Sequence, residues 1–187
     1  MAWSPSIYLL PTFLGGVISI AVAMLAWSHR SERTARPFIA FLLGLALWSI
    51  AYGIELGYRS AAMIILWDKI AFIGSVVVPV ALLLVAIEYA GLEDRLPAWG
   101  TPLLAVEPII TLALAWSYPR TRLVWTSFDV VQAGGIVLPS PDFGPWYWVN
   151  FGYSYLLIAV ALVLIGSVYF RGRRIYRRQS ELLVAGI

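Results

Sequence analysis

Apolar residues in this chain come in five long runs separated by short polar connections, over about residues 7–27, 38–56, 61–89, 99–116 and 146–170. A hydrocarbon slab about 30 Å thick takes about 20 helical residues to cross, so each run predicts a transmembrane helix. A sixth run starts at Glu181 and covers residues 181–187, about 10 Å of helix at about 1.5 Å per residue, too short to span. It is expected to be the start of a sixth span, and the chain to be a fragment of a longer protein. The fold class that follows is all-α, a polytopic transmembrane helical bundle in which residues 1–187 form a single domain.

The connections refine this picture. Ser31 to Pro37 and Gly57 to Ser60 are short, which makes the first three spans antiparallel neighbours in sequence order. Pro79 and Pro108 fall inside spans three and four, where each removes a backbone hydrogen bond, so both are hinge candidates. Residues 118–145 form the one sizeable segment outside the spans, and their pattern is not helical. Thr126, Phe128, Val130 and Val131 precede Gly134-Gly135, and Ile136, Val137 and Leu138 follow, before Pro139, Pro141 and Gly144. Two β-branched or aromatic runs around a glycine pair predict a short β-hairpin-like loop, a lid on one face of the bundle.

Composition and charge set the solvent and the orientation. With 61% hydrophobic residues, 12% charged and a mean hydropathy of +0.83, lipid must surround most of the chain. No Lys or Arg precedes the first span, which is also too long for a signal-peptide core, so it is expected to remain as an anchor. Arg30, Arg33, Arg36, Arg95, Arg171, Arg173, Arg174, Arg177 and Arg178 fall on one side against Arg59, Arg120 and Arg122 on the other. The positive-inside rule then predicts a multi-pass plasma-membrane protein with its N-terminus outside and the 118–145 loop extracellular. The net charge of +3 is concentrated at Arg171, Arg173, Arg174, Arg177 and Arg178, which points to anionic lipid headgroups at the cytoplasmic face rather than nucleic acid. Trp3, Trp27, Trp99, Trp116, Trp146 and Trp148 lie at span ends and read as an aromatic belt. Without cysteine and with a single histidine, His29, no metal site or disulfide is expected, and no cofactor.

Ionisable residues inside the spans carry the sharpest local information, because a charge in the bilayer needs a partner or water. Glu107 lies near the midplane of span four, directly before Pro108. Glu55 lies at the outer end of span two, and Asp68 and Lys69 about two turns into span three. Lys69 is expected to pair with Glu55 across the corner between spans two and three, and Glu107 to be protonated or hydrogen-bonded to another span. Trp48, Tyr52 and Glu55 share one helical face, which either lines a pocket or packs a seam. A pocket near Glu55, Asp68, Lys69 and Glu107, beneath the hairpin, is expected to do the sensing. Gly15, Gly16, Gly44, Gly74 and Gly152 are expected where helices approach closely. There is no H-E-x-x-H, G-x-S-x-G, phosphate-binding glycine loop or paired acidic metal motif, so the chain is not expected to be an enzyme.

The ordered set of aromatics, glycines and prolines resembles the N-terminal seven-transmembrane sensor region of archaeal and bacterial histidine kinases. The resemblance rests on Phe38, Trp48, Tyr52, Glu55 and Leu56, then Trp67, Lys69, Gly74, Pro79, Tyr89 and Gly91, then the run from Leu103 to Pro108. It continues through Pro119, Leu123 and Trp125, Gly144, Trp146, Trp148, Tyr153, Tyr155 and Leu156, and Tyr176 and Gln179. Tyr118 and Thr121 stand where the family usually has Asn and His, and Asn150 where it often has His, so sensing by those histidines is not implied. The resemblance implies the signal-input region of a two-component system, passing an extracellular or intramembrane cue to a cytoplasmic kinase module through changes in helix packing. Its expected partners are the bilayer, a small ligand or physical cue, and a second copy of the chain in a homodimer. The alternative is a small transporter or channel in which Glu107 carries a proton or cation.

Overall fold

The computed structural model describes residues 9–97, 99–133 and 136–185, with the side chains of 133, 136 and 169–185 excepted. Among them the apolar runs become five helices, α1 Leu9–Trp27, α2 Ala35–Leu56, α3 Ala61–Tyr89, α4 Gly100–Trp116 and α5 Pro145–Ala185. A single 3-10 turn, Glu93–Arg95, lies between α3 and α4, and strands β1 Trp125–Ala133 and β2 Ile136–Phe143 lie between α4 and α5. By length and apolar composition α1, α2, α3 and the part of α5 over Pro145–Val168 can each cross a membrane. The fourth run is shorter, since α4 has 17 residues, about 26 Å of helix.

The backbone of α5 stays helical from Pro145 through Ala185, past the expected start of the sixth run at residue 181. After Pro145 the chain contains no proline, and residues 173–185 are mostly good helix formers, so nothing local stops the helix. Residues 186 and 187 lie outside the described residues, as do the side chains of Arg171, Arg173, Arg174, Arg177 and Arg178.

Helix α3 is the centre of the bundle. It packs along α2 and against α5 and α4, while α1 packs along α2. The α2–α3 seam is tight because Gly74 has no side chain: a Cβ there would meet the Gly44 carbonyl and lie 2.7 Å from the Trp48 nitrogen. Gly16 plays the same part on α1 against Ile50, whereas Gly152 faces open space, so the close-approach reading of that glycine is corrected. Pro79 and Pro108 both lie inside unbroken helical segments and are buried.

The hairpin is antiparallel, with Phe128 opposite Pro141 and Val131 opposite Leu138. Gly134 and Gly135 at its tip lie outside the described residues. The hairpin is no loose loop: Val124, Trp125, Phe128 and Val137 form one buried apolar cluster with Ile64 of α3 and Ala115 of α4. Gly144 and Trp146 donate backbone N–H bonds to the Val124 and Leu123 carbonyls at 2.8 and 2.9 Å, which ties the first turn of α5 to the base of β1. A second cluster joins Leu83, Ala86 and Ile87 of α3 to Leu157 and Ala161 of α5 at the far end of the bundle. The α3–α5 pair is thus clamped at both ends.

Candidate functional site

Between those two clamps lies a cleft of about 430 Å³, walled by α2, α3, α5 and the hairpin. Its lining is aromatic: Trp48 from α2, Phe72 from α3, Trp125 and Phe143 from the strands, and Tyr147, Phe151 and Tyr155 from α5. The rings are fixed by one another. Phe143 stacks on Tyr147 at 3.8 Å, Phe151 lies 4.3 Å from Tyr155, and Phe72 leans on the buried Trp125 at 5.5 Å. Positions 147, 151 and 155 repeat every four residues, so α5 presents them as one stripe. Pro79 and Ser75 of α3 and Asn150 and Ser154 of α5 complete the wall.

One carboxylate faces this aromatic space. Asp68 lines the cleft and has no hydrogen-bond or ion-pair partner among the described residues. Tyr52 and Glu55 of α2 and Tyr147 across the cleft are within its electrostatic reach. Glu55 is fully buried, and among the described residues both of its oxygens lack a hydrogen-bond partner, as does the buried indole nitrogen of Trp67. The Lys69–Glu55 pair expected from the sequence does not form. Lys69 turns instead toward the base of the hairpin, where its ammonium donates to the Tyr118 carbonyl at 2.8 Å and lies 5.8 Å from the Tyr118 ring centre. The ammonium also lies 3.5 Å from the carbonyl of Trp116, the last residue of α4, where the unpaired carbonyls carry partial negative charge that favours a cation.

Glu107 has the opposite environment. Its carboxylate accepts from Thr111 Oγ1 at 2.5 Å and from Asn150 Nδ2 at 3.1 and 3.3 Å, which links α4 to α5. Thr111 in turn accepts from the indole nitrogen of Trp146 at 2.8 Å, and Tyr153 donates to the Leu104 carbonyl at 2.7 Å. Asn150 is the meeting point, since it binds Glu107 and also lines the cleft.

The structure therefore divides the residues singled out in the sequence. It gathers Trp48, Asp68 and Pro79 at the cleft, buries Glu55, leaves Tyr52 half-exposed, and sends Lys69 and Glu107 to other partners. Sequence reading missed Thr111, Ser154 and the Phe143–Tyr147 stack, and treated Asn150 only as a departure. A Thr four residues after an intramembrane Glu, and an Asn in an apolar span, were the available signals.

Apolar helices long enough to cross a bilayer and an aromatic cleft beside the hairpin define a membrane domain with one candidate binding space. Residues 11–187 match the family model described as the N-terminal 7TM region of histidine kinase, and the chain belongs to that family. It is a membrane sensor input domain. No curated protein and no solved structure matches it.

Proposed function

We propose that this domain crosses the membrane several times with its N-terminus outside, and that it passes the occupancy of the cleft to a histidine kinase module of the parent protein. The observation that carries this reading is the position of the cleft. A molecule there touches α2, α3, α5 and the hairpin at once, so it has different contacts in any two packings of those elements. Pro79 supplies the bistable point, because it lines the cleft and leaves the Ser75 carbonyl without its helical N–H donor. Pro108, one residue from the Glu107 network, supplies a second in α4. Helix α5 carries the shift away from the cleft along its length, toward the basic run of Arg171, Arg173, Arg174, Arg177 and Arg178, whose charge in the sequence suits anionic headgroups.

The test is to fill the cleft and read the output. Ser154→Trp in the full-length protein, assayed in native membranes, is expected to fix autophosphorylation at one level regardless of stimulus. Wild-type regulation in that variant sinks the proposal. Orientation is tested separately, and the absence of cysteine makes it simple. Arg120→Cys is expected to react with an impermeant maleimide on intact cells and Ser31→Cys only after permeabilisation; the reverse pattern inverts the topology.

A further inference from the structure

Resting on the reading of the cleft as the input site, we infer that its ligand is an organic ammonium ion, with Asp68 as counter-ion and the surrounding rings as the cage. The argument starts from what the cleft offers. Trp48, Phe72, Trp125, Phe143 and Tyr147 turn aromatic surface toward a space of about 430 Å³, and ring faces carry a negative quadrupole that attracts a cation. An apolar neutral ligand could use the same rings. It could not use Asp68, which lines the same space without a hydrogen-bond or ion-pair partner among the described residues. Burying a carboxylate beside a neutral apolar guest costs free energy that a cation would recover.

The surroundings reinforce the sign. The nearest cation in sequence, Lys69, is bound to the Tyr118 carbonyl and does not neutralise Asp68. A second acid, Glu55, lies within electrostatic reach, fully buried and with both oxygens unpartnered among the described residues. A carboxylate on the wall favours a positively charged guest over an anion of any kind. The polar groups Ser75, Asn150 and Ser154 on the wall accept hydrogen bonds from a primary or secondary ammonium, while a quaternary one needs only the rings and Asp68.

The experiment uses the 187-residue chain in lipid nanodiscs and follows tryptophan fluorescence during titration with choline and with its neutral isostere 3,3-dimethylbutanol, then with tetraethylammonium. The cations are expected to bind about tenfold or more tighter than the neutral isostere. Asp68→Asn is expected to abolish that preference while leaving the affinity for the isostere unchanged, and Tyr147→Leu to weaken the cations selectively. The helical circular dichroism of both variants serves as the folding check, and Asp68→Glu is expected to restore the preference in part. Equal affinity for charge and isostere, a preference that survives Asp68→Asn, or no binding of any cation overturns the ammonium assignment. Ser154→Trp in the full-length protein keeps the two readings apart: altered output with no ammonium binding discards the ligand class and retains the cleft as the input site. Unaltered output discards the input site itself.

Discussion

Two acid sites within the helices of one small bundle are treated in opposite ways. Glu107 accepts hydrogen bonds from Thr111 and Asn150, and the chain of contacts extends to Trp146, so the groups of that site satisfy one another. Asp68 and Glu55 have no such partners among the described residues, although Glu55 is fully buried. A satisfied polar network fixes two helices relative to each other, whereas an unsatisfied one is a standing cost that a ligand, water or a change of packing can relieve. The lesson is that an acid inside a span is not by itself evidence of function. Its partners decide, and here they make Glu107 a joint between α4 and α5 and leave Asp68 open to the cleft.

The contrast can be broken most directly at Glu107. Glu107→Leu leaves buried donors on Thr111 and Asn150 unpartnered and is expected to cost about 2–3 kcal/mol. Unfolding of the purified chain in mixed micelles, followed by circular dichroism, measures this; a loss below about 0.5 kcal/mol would show that the network contributes nothing. Next in size, the double-mutant cycle between Glu107→Ala and Asn150→Ala is expected to give a coupling of about 1–2 kcal/mol, and additive losses would separate the two residues. Trp146→Phe keeps an aromatic side chain but removes the N–H bond to Thr111 together with part of the indole's packing, for an expected loss of about 1–2 kcal/mol. The smallest effect belongs to the other site. Glu55→Gln removes no hydrogen bond seen among the described residues, so stability is expected to stay within about 0.5 kcal/mol of wild type or to rise. A clear loss on Glu55→Gln would mean that Glu55 has a partner and would erase the distinction between the sites.

Much of the architecture was legible in the chain because it depends on local or additive properties. Long apolar runs predict membrane helices from length alone, and the Gly134-Gly135 pair between β-branched runs predicts a hairpin from backbone preference. The close-approach role of Gly16 and Gly74 followed from residue size, while Gly152, of the same size, turned out to face open space. Lys69 shows the boundary of such reasoning. Depth along a helix put it beside Glu55, but the reach of its side chain and the carbonyl of Tyr118, two residues beyond α4, decided where the charge settled.

The sequence by itself determined that this protein is a membrane helical bundle with a hairpin cap, and which family it belongs to. Hydropathy and turn chemistry act over a few residues and need no knowledge of the fold. Only the tertiary structure decided which acids are satisfied and which face a space. Those answers depend on residues far apart in the chain, such as Glu107 and Asn150, or Trp48, Asp68, Phe143 and Tyr147, meeting when α3 and α5 pack. Partner choice is a property of three-dimensional distance, and composition and periodicity carry no direct record of it.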